Sequence, residues 1–186
     1  MKTLSKLLTT LTFLTLPILS FSQTQEKKNY SKIGLQASYP TNELITENCG
    51  IPFGINFSLG KEILPEVYAE LTENHSWSSK KQNHLTSNFN SIGPTIIWSP
   101  TFGSVDGIYF GGGIRYKTFR ITYNDGKQKE SENYNGLGFT IKFGSEWNIG
   151  KGRKLYFETE YDQAKSNQDY EEVNLGTTNL SLGIKF

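Results

Sequence analysis

Cysteine, histidine and long apolar runs are scarce in this 186-residue chain, and each scarcity closes off a class of protein. Cys49 is the only cysteine, so no intramolecular disulfide can form, and its place beside Gly50 in a polar stretch reads as an incidental loop position. His75 and His84 are the only histidines, and so the only side chains suited to act as a base at neutral pH. Neither has ligand spacing to a cysteine or to the other, so no zinc site is expected. Beyond residue 22 no apolar run approaches the roughly 20 residues that a membrane-spanning helix needs, and no stretch repeats its apolar residues at the helical period. Charge of one sign is missing too: 19 basic residues stand against 18 acidic ones, which gives no electrostatic case for nucleic acid as a partner. Gly111-Gly112-Gly113 lacks the following helix and the Lys-Ser/Thr pair of a phosphate-cradling loop. No catalytic residue, cofactor or metal is expected.

What is present begins with Lys2 and Lys6, an uncharged run over residues 7–19, and Ser20-Phe21-Ser22 before Gln23. A basic start, an apolar stretch of this length and small residues at the cleavage positions make a secretory signal peptide over residues 1–22. Pro17 and several threonines argue against a membrane anchor, and no cysteine lies where a lipoprotein signal would need one. Cleavage removes Lys2 and Lys6 and no acid, taking 19 basic residues to 17 against 18 acidic. Residues 23–186 then form one domain, opening on a polar tail over residues 23–31.

The rest of the chain alternates apolar and polar residues with the period of a β-strand. Phe53, Ile55, Phe57 and Leu59 oppose Gly54, Asn56, Ser58 and Gly60; Leu137, Phe139, Ile141 and Phe143 oppose Gly138, Thr140, Lys142 and Gly144; Leu180, Leu182, Ile184 and Phe186 oppose Ser181, Gly183 and Lys185. Similar segments begin near Ile33, Val67, Phe89, Ile108 and Leu155, giving eight antiparallel strands joined by turns and by polar loops at 42–50, 76–87, 124–133 and 164–173. Pro94 in the fourth segment cannot donate to a ladder, so a bulge is expected beside Gly93.

Alternation shows two unlike faces without saying which looks inward. The polar face carries Gly34, Gly54, Gly60, Gly111, Gly113, Gly138, Gly144 and Gly183 among charges of both signs. Glycine suits a narrow bore, which the bulky residues of the other face would overfill. The apolar face holds no charge across the middle of the strands as drawn, and Tyr39, Trp98, Tyr116, Tyr161 and Phe186 stand near strand ends on it, where the aromatic girdles of a membrane barrel belong. The fold expected is therefore all-β: an eight-stranded antiparallel up-and-down transmembrane barrel. Phe53, Ile55, Phe57, Leu59, Phe139, Ile141, Leu180, Leu182, Ile184 and Phe186 are its lipid-facing residues. Arg115, Lys117, Lys142, Glu158, Glu160, Asp162 and Lys185 form a charge network that plugs the lumen.

The signal ending S-F-S-Q, the N-S-I-G-P-T strand from Asn90, the Y-F-G-G-G-I-R-Y strand from Tyr109 and the terminal L-S-L-G-I-K-F resemble the small outer-membrane protein beta-barrel domain family, which includes OmpA/OmpX-like and PorT-like barrels. The resemblance spans the mature chain and implies export through the Sec pathway, residence in the outer membrane and both termini in the periplasm. It also implies contact with outer-membrane lipids and recognition by the barrel assembly machinery through the strand ending at Phe186. No peptidoglycan-binding domain follows the barrel, so a tether to the cell wall is not implied. The expected protein is a monomer without enzymatic activity, with a structural or surface-interaction role. Two alternatives stand beside it: an enzyme acting on lipid or lipid A near His84-Leu85-Thr86, and a soluble periplasmic ligand-binding barrel of lipocalin type.

Overall fold

A computed structural model describes residues 28–80, 84–101, 107–124, 128–168 and 171–186; the expected signal peptide lies outside the described residues. The elements are β1 (Asn29–Pro40), α1 (Glu43–Cys49), β2 (Phe53–Leu64), β3 (Val67–Lys80), β4 (Leu85–Trp98), β5 (Ile108–Asn124), β6 (Lys129–Gly150), β7 (Arg153–Gln168), β8 (Glu171–Asn174) and β9 (Thr177–Lys185). Each long strand pairs antiparallel with its neighbours, β6 pairs with β7, and β9 sits between β7 and β1. Eight strands thus close a ring, and β8 is a four-residue extra that forms a hairpin with the end of β7.

The ring is strongly tilted. Tyr30 pairs with Gly60, and the same row continues through Glu70, Thr95, Gly113, Thr140, Asp162 and Thr177 before it meets β1 again at Pro40. The return from Tyr30 to Pro40 is a shear of ten residues, which for eight strands corresponds to a strand tilt of about 40°. The start of β1, Phe186, the β2–β3 turn and the β6–β7 turn lie at one end, called here the termini end; α1, the ends of β3, β5 and β7 and the starts of β4, β6 and β8 lie at the other, the loop end. The β6–β7 turn is tight enough to put Gly150, Lys151 and Gly152 all at positive φ, a conformation costly for Lys151 and free for its two glycine neighbours.

Several boundaries differ from those the alternation suggests. β1 already runs from Asn29, so Asn29, Tyr30 and Ser31 belong to the barrel and not to a tail. The expected loop over residues 42–50 contains α1. Most of the expected loops at 76–87, 124–133 and 164–173 is strand, because paired strands continue past the membrane belt where both faces are polar and alternation carries no signal. No bulge marks Pro94: the β4–β5 register is the same on either side of it, and the ladder simply omits Gly93 and Pro94. The Gly93 carbonyl that this gap frees accepts a hydrogen bond from Arg115 Nη1 at 2.5 Å. One expectation about the outer face also fails. Glu73, the next outward position after Leu71 on β3, is exposed beside Phe57 and Ile92, so the apolar belt is not free of charge.

Candidate functional site

The bore is the chemically distinctive part of the molecule. Inward positions alternate along every strand, so the polar halves of the strands converge on the barrel axis. At the termini end three tyrosines lie across glycines on neighbouring strands: Tyr30 over Gly60, Tyr109 over Gly144, and Tyr156 against Gly183 and Gly34. A Cβ at Gly60 or Gly144 would collide with the facing ring, so these glycines are what let aromatic rings lie flat inside a narrow tube.

Above the tyrosines runs a continuous chain of buried ions. Lys32 bridges Glu70 and Glu158, both at 3.1 Å. Lys142 touches three carboxylates: Glu70 at 2.8 Å, Glu158 at 3.0 Å and Glu160 at 3.1 Å. Arg115 continues to Glu160 at 2.9 Å, and Lys117 reaches Asp162 at 3.5 Å and Thr177 Oγ1 at 2.6 Å. Lys32, Arg115, Lys117 and Lys142 thus match Glu70, Glu158, Glu160 and Asp162, every one of them buried. Neutral donors complete the carboxylates: Tyr30 to Glu70 and Tyr109 to Glu158, both at 2.8 Å, and Asn74 to Glu160 at 2.7 Å. A buried charge is tolerable only with such partners.

Toward the loop end the bore changes character. A small polar chamber lined by Gln36, Ser38, Asn74, Ser76, Ser91 and Asn179 separates the ions from an apolar lid. In that lid Ile45 and Cys49 of α1 pack with Phe89, Phe119, Ala164 and Leu175. Phe89 and Phe119 stack with centroids 4.3 Å apart, and Ser78 Oγ donates to the Cys49 carbonyl at 2.5 Å, pinning the helix end. Cys49 is 2% exposed, a lid residue and not an incidental loop position.

Of the seven expected lumen charges, the structure brings Arg115, Lys117, Lys142, Glu158, Glu160 and Asp162 into one network. Lys185 makes its ion pair outside that network: it lies between Lys154 and Lys32 in register, four residues toward the termini end from the Glu158–Ser181 pair, and it bonds Glu146 at 2.6 Å beside a second bridge from Lys154. Lys32, Glu70, Glu146 and the three tyrosines are lumen residues that the sequence reading does not single out. Lys32 lies two residues before Gly34 on the same face, so extending the alternation by one step exposes it, and Glu70 already falls on the polar face of the third segment, opposite Val67, Ala69 and Leu71. On the outer face Phe53, Ile55, Phe139, Ile141, Leu182 and Phe186 are exposed, with Leu182 at 53%, while Phe57, Leu59, Leu180 and Ile184 point outward half-buried. A lipocalin-like apolar bore is not what is found. His84 lies edge-on to Tyr123 at the loop end, and His75 faces outward beside Trp77 at 5.6 Å, so the two histidines are on different surfaces.

The comparisons with known proteins agree with this architecture. Neisserial surface protein A is similar at 15% identity and a TM-score of 0.59, over 87% of this chain and 98% of that one. Ail of Yersinia pestis gives 16% and 0.55 over 88% and 100%, and a major outer membrane protein from Thermus thermophilus gives 11% and 0.62 over 86% and 99%. Identities this low speak for the fold alone. A search of curated proteins gave no match. Residues 8–186 match the family described as outer membrane protein beta-barrel domain. With nearly its whole length matched, the chain belongs to that family and is an outer-membrane β-barrel.

Proposed function

We propose that this protein is a closed, non-enzymatic barrel of the outer membrane that meets lipid with its apolar face and acts through the surface at its loop end. The observation that carries the closed state is Lys142, whose ammonium is tied to three carboxylates from β3 and β7 across the bore. Water and ions would have to break those contacts to pass, and the lid under α1 would still block the far mouth. Beyond the belt, β5 and β6 continue as a hairpin to Asn124 and Lys129, where Lys129, Glu130, Ser131, Glu132 and Asn133 are all exposed. A polar ladder of this kind costs little to build and offers side chains to a partner in water. The orientation proposed puts both termini in the periplasm and the hairpin outside, with export through the Sec pathway and the strand ending at Phe186 as the signal read by the assembly machinery.

The test is electrical. Purified protein in planar lipid bilayers at neutral pH should add no stepwise conductance over the bare membrane. A steady ohmic conductance from the folded wild-type protein would overturn the closed reading.

A further inference from the structure

Glu73 is an ionisable residue in a place where the barrel gives it nothing to bond. Along β3 the outward positions run Val67, Ala69, Leu71, Glu73, His75 and Trp77. Val67 pairs with Trp98 at the termini end of the belt, and Trp77 pairs with Phe53 at the loop end, so Glu73 lies between two aromatic rims and not on either. Its lateral neighbours are Phe57 and Ile92. Among the described residues the Glu73 carboxylate makes no hydrogen bond or ion pair, and it is exposed on a face that otherwise meets hydrocarbon. Charges on that face are selected against at mid-depth, so a carboxylate kept there calls for a partner from outside the chain.

We propose that the β3 face is a lateral interface with a second copy of this chain in the same membrane, held by reciprocal Glu73–His75 contacts. Two barrels inserted with the same orientation are related by a two-fold axis along the membrane normal, which brings β3 of one alongside β3 of the other. A two-fold contact requires that if residue i meets residue j, then j meets i. Glu73 and His75 meet that condition: they are two positions apart on one strand face, one an acceptor and the other a donor, and a single approach makes both contacts at once. His75 is also without a hydrogen-bond partner among the described residues, its recorded neighbour being the Trp77 ring. A dimer of this kind departs from the monomer that the sequence reading expects.

The experiment counts chains per particle for the full-length mature protein in lipid nanodiscs and in mild detergent, by light scattering and by native mass spectrometry. Wild type should give two chains per particle. Glu73→Leu should remain a folded barrel, judged by the mobility difference between unheated and boiled samples, and should weaken dimerisation at least tenfold. His75→Leu should do the same, which covers the case in which the first variant folds poorly. Exchanging the pair, Glu73→His with His75→Glu, should restore the dimer. One chain per particle for wild type in a bilayer, a dimer indifferent to Glu73→Leu, or a monomer that instead retains an amine-bearing lipid through Glu73 would each overturn the proposal.

Discussion

The two ends of the bore are lined by opposite chemistry. Near the termini end, buried ions and tyrosine hydroxyls meet across the bore; near the loops, α1 packs on a phenylalanine pair. The ionic end is specific and unforgiving, because removing one member leaves its partners charged in a dry space. The apolar end is generic, since its energy scales with the area it covers and a neighbour can partly fill a gap. Both linings sit in one scaffold, so the same chain compares them under identical conditions.

Replacing Lys142 by Met should separate the two ends most sharply. Glu70, Glu158 and Glu160 would lose the cation they share, and the loss should be about 4 kcal/mol in urea unfolding of the barrel in lipid vesicles. Most of that should return when Glu158 is also changed to Gln, an effect with no counterpart at the lid. Phe89→Ala comes next. It should cost about 3 kcal/mol, the low end for a buried phenylalanine because the lid borders water. Labelling of Cys49 by a thiol reagent should accelerate in this variant as α1 loosens, while Lys142→Met should leave that rate unchanged. The smallest effect belongs to Lys185→Met at the rim. Lys154 still bridges Glu146 there and Lys185 is partly solvated, so the cost should stay near about 1 kcal/mol in the same unfolding assay. If Lys185→Met proved as damaging as Lys142→Met, the distinction between a dry ionic centre and a wet rim would collapse.

The membrane belt and its polar lining are legible in the chain because a half-buried strand writes its two faces in alternate residues. Phe53, Ile55, Phe139, Ile141 and Leu182 face outward, and Arg115, Lys142 and Glu160 inward, as period-2 reading assigns them. That reading dims wherever both sides of a strand are polar, which is why residues 129–133 read as loop although they are paired with β5. It is silent on register, and register decides that Lys185 meets Glu146 and not Glu158. Nor can it find α1: seven residues make under two turns, too few for a helical period to emerge, and the helix is fixed by packing of Ile45 and Cys49 under the lid. Glu73 escapes for a simpler reason: the apolar face of the third segment reads clearly only as far as Leu71, one outward position short.

The ten-residue shear has a consequence for how the barrel is made. A row that starts near the amino end of β1 comes home at that strand's far tip, so the seam between β1 and β9 seals only when every other strand stands at its final slant. Lys32 and Glu158, 126 residues apart in the chain, meet across that closing tube. That contact spans β9, so it forms only when the last strand docks, whereas Lys32–Glu70 and Lys142–Glu158 join strands already made.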